Sequence, residues 1–496
     1  MKYAVVALLH AALAIAGGPP DTWVPIRWEG GPLEAARPAI ATWYEPSTLD
    51  LLSGSPVNCL LLTLSGGADA AVQKEQLRLV AAYSRAARAK GLTTLGVVKP
   101  GARPTEIAAS AAAAGVDGVV LEGEFEGGVK FYREVEQALR AKQSGAVVIP
   151  ITSPSAHPPG AWPVVAISEG VQPGIRELSD IDATPSSEPW IDSNTWLVRS
   201  VRAWSGKRPV WLSYKLDKPA PDVYPRAVAD AAAAGGRWVV ALDDEFRAGL
   251  RRGDAASKQA WHKLSSALRY QQEHALWRDY RFIGPLVILQ DPASKHADLF
   301  GEYLNLIARR QCPYTILQRG ELAAERLRGY KGVLAVDLKE LRAAERKTLE
   351  DFAAQGGTLI SGPAAAAGAA KSEGYATRQS GKGEIVAYPD DPPDPEAVSK
   401  DMRDLLGGDA IKVFNGPSVL TCLSSDDADK RVLVQMVAYS SAPSDRVTLR
   451  IKGEFRKARL FTPGEAPADL PAEQDSGTTE IVLQKMAVWM TLLLEK

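Results

Sequence analysis

Six carboxylates stand where short apolar runs end: Glu122 and Glu124 in "VVLEGEFEGG", Glu169 in "VVAISEG", and Asp243, Asp244 and Glu245 in "VVALDDEF". Near-continuous apolar runs of this length suit parallel strands covered on both faces. Carboxyl groups on different strand ends of one sheet can flank a bond. One protonates a leaving oxygen and the other serves as base or nucleophile, which is how sugar acetals are cleaved. Glu122 and Glu124 have the same parity, so strand alternation turns both to one face. Two acids at the end of a buried strand are costly unless used or paired. We therefore expect Glu122 or Glu124 as general acid, with Glu169 as the opposing carboxylate. Asp243 and Asp244 have two readings: ligands of sugar hydroxyls, or caps of the helix beginning near Phe246, a place aspartate suits.

Aromatic residues point the same way. Of twelve tryptophans, ten lie between Trp23 and Trp261. An indole can stack on the apolar face of a pyranose while its edge stays wet. Trp211 and Trp238 fall inside strands and read as core. Trp43 is expected to line a cleft. The stretch "TPSSEPWIDSNTW", Thr184 to Trp196, sits on a long connection after the sixth strand. Connections of that length are usually functional when ordered. Asp192 or Ser193 fits the N-cap of the helix "NTWLVRSVRAWSG", whose Trp196 and Trp204 recur at helical spacing and read as core. That leaves Trp190 and Asn194, with Glu188 and Asp192, to face a ligand. Tyr214, in "RPVWLSYKLDKP", is a further binding candidate.

The elements that must position these residues are legible as a pattern. From Trp23 to about Gly253, eight strand-like runs alternate with helices, several of which stop at glycine, as in "AKG" and "AAAAGG". Glycine tolerates the left-handed conformation that ends a helix. Eight strand–helix units predict a (β/α)8 TIM barrel over 17–279. An open doubly wound sheet is the competing topology, and no G-x-G-x-x-G follows the first strand to support its dinucleotide-binding form. A second alternation over 280–405 predicts a smaller flavodoxin-like α/β layer domain. Over 406–496 the helical period vanishes and alternating strands predict a β-sandwich.

The bulk numbers exclude several classes. Lys plus Arg is 58 and Asp plus Glu is 59, so nothing electrostatic calls for nucleic acid or an anionic membrane. Residues 1–16 read as a signal peptide: Lys2, an apolar run, then Ala14 and Ala16 at an A-x-A site. The run is short for a membrane span, so a secreted or periplasmic chain with no span after cleavage is expected. Cys59, Cys312 and Cys422 are far apart and read as buried small hydrophobes. His157, His262, His274 and His296 share no metal-ligand spacing, so neither metal nor cofactor is expected.

This order resembles glycoside hydrolase family 42 β-galactosidases. Their barrel, amidotransferase-like trimerisation domain and terminal β-domain follow in the same sequence, and "LRAAERKTLEDFAAQGGTLISGP" is similar to the middle domain. The resemblance implies a carbohydrate substrate, a homo-oligomer, an acid/base Glu after the fourth strand and a nucleophilic Glu after the seventh. The fourth strand supplies acids; the seventh offers Tyr214, Lys215 and Asp217 instead. No cysteine stands in a nucleophile elbow of the middle domain, so amidotransferase chemistry is not implied. "GVDGVVLEGEF" is also similar to the fourth-strand motif of family 18 chitinases, D-G-x-D-x-D-x-E. Asp117 and Gly118 match its start and Glu124 its catalytic Glu, Glu122 stands for an Asp, and Val120 replaces the first acid. Two functions follow as expectations: a paired-carboxylate glycoside hydrolase, or a carbohydrate-binding or scaffold protein on a hydrolase-like barrel that has lost catalysis.

Overall fold

The computed structural model describes residues 21–152, 167–175, 190–205, 209–217 and 221–496, with short breaks at 292–293, 295–296, 337, 339, 364–369, 372–373, 417 and 441–443. The signal peptide expected over 1–16 and the segment 184–189, with Glu188, lie outside these residues. The described residues form two compact units, one built from elements up to Gln172 and of 207–232 and 236–275, the other from elements of 173–206, 233–235 and 276–496.

The first unit is the barrel. Its strands are β1 (Pro25–Arg27), β2 (Cys59–Ser65), β3 (Thr93–Val98), β4 (Gly118–Leu121), β5 (Val147–Thr152), β6 (Ile167–Glu169), β7 (Trp211–Ser213) and β8 (Arg237–Trp238 and Val240–Ala241). All pair in parallel. The first half of β8 pairs with β7 and its second half with β1, so the sheet closes on itself. Its register fixes the geometry. Arg27 leads through Leu61, Leu95 and Gly118 to Val147. Ile151 leads through Ile167 and Trp211 to Arg237, whereas Arg27 itself pairs with Ala241. The four-residue offsets, Val147 to Ile151 and Arg237 to Ala241, give the shear of eight that characterises this barrel.

Parity decides what fills the interior. Leu61, Leu95, Val97, Val120, Ile149, Ile167, Trp211 and Val239 alternate along their strands and form one buried cluster with Cys59 and Ile151. Helices α1 (Ala70–Ala89), α2 (Pro104–Ala114) and α3 (Val129–Lys142) follow β2, β3 and β4. Asp69 caps α1 through its side chain, and Gly115 ends α2 at φ 65°. The chain continues with α4 (Thr195–Ser205) of the second unit, then α5 (Val223–Ala233), α6 (Asp244–Arg252) and α7 (Ala255–Glu273).

Gly118 shows how tight the wall is. A Cβ there would lie 2.4 Å from the Val147 carbonyl oxygen and 2.6 Å from Val147 Cγ2. Gly118→Ala is expected to destabilise the barrel by about 1–3 kcal/mol, the usual range for overpacking. Urea unfolding followed by tryptophan fluorescence measures it; an unchanged midpoint would mean that β4 is not seated this closely on β5.

The second unit begins with an antiparallel pair, Gly174–Ile175 with Ile191–Asp192, and α4. Its α/β layer has parallel strands β9 (Leu286–Gln290), β10 (Tyr314–Gln318), β11 (Gly332–Ala335), β12 (Thr358–Ser361) and β13 (Gly383–Ala387) in the order β10–β9–β11–β12–β13. That is the flavodoxin-like order. A hairpin, Ala370–Lys371 and Ala376–Ser380, extends it. Two antiparallel sheets follow and share a core that includes Val434, Met436 and Leu492 of one and Leu449, Ile451 and Ile481 of the other, so they form a sandwich. Arg281–Phe282, which precedes β9, pairs with Val419–Ser425 and so belongs to the sandwich by hydrogen bonding. None of the described helices is long and apolar enough to cross a membrane.

Candidate active site

The site is built from the C-terminal ends of the barrel strands. In a barrel of eight strands and shear eight, register-matched residues descend by one residue per strand relative to the axis. Equal height two strands apart therefore means an offset of two. Glu122 continues the β4 ladder, its N–H donating to Val98 O at 2.9 Å. One residue past the Leu121–Pro150 pair it stands level with Ile151, which registers with Ile167. Two residues further is Glu169. By the same step, Ala241 on β8 and Thr63 on β2 complete the layer. One half-step inward lie Arg27, Val97, Ile151 and Ser213. Two residues past Arg27, Val97 and Ser213, beyond the strand ends, come Glu29, Lys99 and Lys215. Glu122 and Glu169 thus occupy neighbouring corners of one four-cornered layer, with the small residues Ala241 and Thr63 at the others.

Contacts agree with that construction. Arg27 is buried at 7% exposure, and its guanidinium donates to Glu29 Oε1 at 3.1 Å and to Glu122 Oε1 at close range. Lys215 Nζ stands 3.6 Å from Glu29 Oε2, and Arg37 3.8 Å from it. Burial pushes the Glu29 carboxyl up, but the summed field of Arg27, Lys215, Arg247 and Arg37 outweighs it and leaves the pKa below the ordinary value. An open pocket of about 380 Å³ lies against β1, β7 and β8, lined by Arg27, Glu29, Lys215, Ala241 and Asp243 among others. Glu122 reaches its wall through Arg27.

The strand-eight acids serve the start of α6. Asp243 is its N-cap, Oδ1 accepting from Phe246 N at 2.9 Å while Oδ2 accepts from the Tyr224 hydroxyl. Asp244 accepts from Arg37 Nε and a terminal nitrogen, both at 2.9 Å, and pairs with Arg247 at 3.2 Å. The Arg37 hydrogen bonds hold the Asp244 carboxyl below its usual range against partial burial. Both still line the pocket, with Glu245 exposed beside them.

The other expected residues are placed as follows. Glu169 is exposed at the end of β6, opposite Ser213 in register. Glu124 is exposed and lies past β4, behind Gly123 at φ 110°. Asp117 sits at the opposite end of β4, where its carboxylate accepts from Thr94 N and pairs with Arg88. Trp43 is fully buried rather than lining a cleft, its ring packed against Trp28 with centroids 4.4 Å apart and planes tilted by 31°. Tyr214 is also buried, on the outward parity of β7, stacked on Trp238 at 5.6 Å. Trp190, Asp192 and Asn194 belong to the second unit. There Arg309 lies 4.9 Å from the Trp190 ring, Asp192 is half-buried in its strand pair, and Asn194 is buried, its carbonyl accepting from Val198 N as α4 begins. No group of His, Cys, Asp and Glu among the described residues is arranged to hold a metal ion.

Arg27, Glu29, Arg37 and Arg247 were not singled out by the strand-end pattern. One signal was present: Arg27 is a charge inside the apolar run "WVPIRW", at the parity of Trp23. A charge on a barrel's inner face requires a partner, and Glu29 is the next residue of that parity.

The chain matches no family model, and no curated protein matches it by sequence. Solved structures share its fold. An α-L-fucosidase isoenzyme 2 from Paenibacillus thiaminolyticus superposes with TM-score 0.63 at 11% identity, over 91% of this chain and 96% of that one. A GH42 β-galactosidase from G. stearothermophilus gives 0.58 at 10%, over 95% and 98%. A β-galactosidase from Bacillus circulans sp. alkalophilus gives 0.55 at 9%, over 93% and 99%. The chain therefore has the architecture of these glycoside hydrolases: a hydrolase-like barrel followed by an α/β layer and a β-sandwich.

Proposed function

We propose that the barrel mouth takes a saccharide and that Glu122 and Glu169 cleave its glycosidic bond. The observation that carries this reading is their shared layer on the inner face, at the end where such barrels place their sites. Backbones two strands apart stand roughly 10 Å apart. Side chains aimed at the axis narrow that gap toward the roughly 5–9.5 Å used by hydrolytic carboxyl pairs. Arg27 donates to Glu122 and fixes the direction of its carboxylate, which suits it to the role of nucleophile or base. Glu169, with no bonded partner among the described residues, takes the role of proton donor. The glycosidase fold relatives support a saccharide ligand, and the N-terminal pattern supports action outside the cytoplasm, secreted or periplasmic.

A second reading has its own observation. Glu29 and Asp244 are engaged by cations, and β7 leads to Lys215 where a carboxylate would complete the family arrangement. This favours a saccharide-binding barrel without catalysis. The mature chain, from Gly17, should be screened on polysaccharides and aryl glycosides, with tryptophan fluorescence read in parallel. Turnover is expected. Quenching by a sugar without turnover would replace hydrolysis by binding, and neither signal would remove both.

A further inference from the structure

Glu29 and Lys215 meet in the lining of the 380 Å³ pocket. Glu29 stands two residues past Arg27 at the end of β1, and Lys215 two residues past Ser213 at the end of β7. β8 runs between those strands, and its Ala241, paired in register with Arg27, brings only a methyl to the lining. Lys215 Nζ comes to 3.6 Å from Glu29 Oε2, which is beyond good hydrogen-bond reach. Both atoms therefore have bonding capacity to spare. Arg27 donates to Glu29 Oε1 at 3.1 Å, whereas Oε2 accepts no hydrogen bond among the described residues, its other cation being Arg37 at 3.8 Å. Lys215 Nζ donates none among the described residues, and its side chain is 63% exposed.

The pair is tied to Glu122. One guanidinium, that of Arg27, donates to Glu29 through one terminal nitrogen and to Glu122 through the other. Those nitrogens are roughly 2 Å apart in the planar fork, and each bond is about 3 Å or less, so the bonded oxygens of Glu29 and Glu122 lie within roughly 8 Å of each other. One pyranose ring with its hydroxyls bridges such a gap. The lining also sets Glu29 and four other carboxylates against Lys215 and three arginines, so its charges nearly cancel and select no ion.

We propose that Glu29 and Lys215 clasp one hydroxyl of the saccharide, and that this hydroxyl belongs to the ring whose bond Glu122 helps to cut. This rests on the saccharide reading above and adds a specificity-determining pair to it. The chemistry of the two groups names the third. An ammonium only donates and a carboxylate only accepts, so one ligand atom that satisfies both must do both. A hydroxyl oxygen about 2.8 Å from each accepts from Lys215 and donates to Glu29. A ligand carboxylate there is repelled by Glu29, and a ligand ammonium by Lys215. Both bonds to the hydroxyl are charge-assisted, which makes this hydroxyl the one the site misses most.

The test uses the full chain carrying Glu122→Gln, so that binding is read without turnover. It is titrated calorimetrically with cellotriose, mannotriose and galactotriose, and at least one should bind. Adding Lys215→Met or Glu29→Gln should weaken that probe about tenfold. Adding both should cost little more than either, since they hold the same hydroxyl and their losses are coupled. Among monodeoxy analogues of the probe, the one lacking the clasped hydroxyl should bind about tenfold more weakly and be indifferent to Lys215→Met. Lys215 is exposed, so its variant and the deoxy series decide the matter even where Glu29→Gln loses its fold. Unchanged affinity on Lys215→Met, losses that multiply to about a hundredfold in the double variant, or a Lys215→Met loss that every deoxy analogue shares would overturn the clasp and leave a saccharide site. No binding of any probe would overturn the saccharide reading, and this inference with it.

Discussion

Glu169→Gln should lower kcat on a natural glycoside by about 10²–10⁴, the usual contribution of a positioned proton donor, yet barely slow an aryl glycoside whose phenol leaves unaided. Glu122→Gln should abolish turnover of both substrates. The asymmetry follows from the surroundings of the two groups. Glu122 is bonded to Arg27, which fixes the direction of its carboxylate. An anion there stabilises the positive charge that develops on the sugar, and every glycoside needs that help. Glu169 is exposed at the end of β6 and pairs with no cation among the described residues. Its proton matters only when the departing oxygen is a strong base. Steady-state kinetics on the two substrate types, run on both variants, separate the roles. If Glu169→Gln slowed both substrates equally, the assignment of donor and anion would be wrong. If both variants kept full activity, the chemistry would lie elsewhere in the mouth, with Glu29 and Asp243 next in line.

The fold was legible because its signals are local. Each barrel strand is an apolar run bounded by a helix stop or a polar turn, and every one of the eight contains a paired strand. The flavodoxin-like order and the sandwich followed from the change of period near the middle and end of the chain. Arg281–Phe282 escaped that logic: two residues carry no periodicity, and its pairing with Val419–Ser425 spans more than a hundred positions. The strand-end acids were legible for the same local reason, since parity alone turns Glu122 and Glu169 inward. What parity does not supply is height around the barrel. Their common layer depends on shear, a property of closure that no single strand encodes. The ion pairs were harder still. Arg37 meets Asp244 across more than two hundred residues, and only the closed sheet brings β1 beside β8. Trp43 was misjudged because an indole near a strand end serves either a cleft or a core, and its partner Trp28 decides between them.

Arg27→Met should destabilise the barrel by about 3–5 kcal/mol near neutral pH, the penalty typical of a buried ion pair that loses one partner. Arg27 is 7% exposed, Glu29 13% and Glu122 26%, and among the described residues Arg27 makes the shortest ion pair of each carboxylate. Methionine fits the space, because the same layer holds Val97 and Ile151. The loss should therefore come from unpaired charge rather than a void. Adding Glu29→Gln and Glu122→Gln to Arg27→Met should recover part of it, since removing every charge of a buried group often leaves stability near its original value. The pH dependence has a definite sign. The Glu29 pKa is lowered in the folded barrel, so its ionisation stabilises the fold above the ordinary carboxylate pKa of about 4.3 and loses that effect as pH falls through the lower folded value. In Arg27→Met the same ionisation is less favourable, so the deficit relative to the parent protein should shrink in acid. Denaturant midpoints of the parent, the single variant and the triple variant at pH 7 and pH 4 measure all three expectations. A single-variant loss below about 1 kcal/mol would place Arg27 among ordinary solvated pairs, and Glu122 would then lose the contact argued to fix its carboxylate.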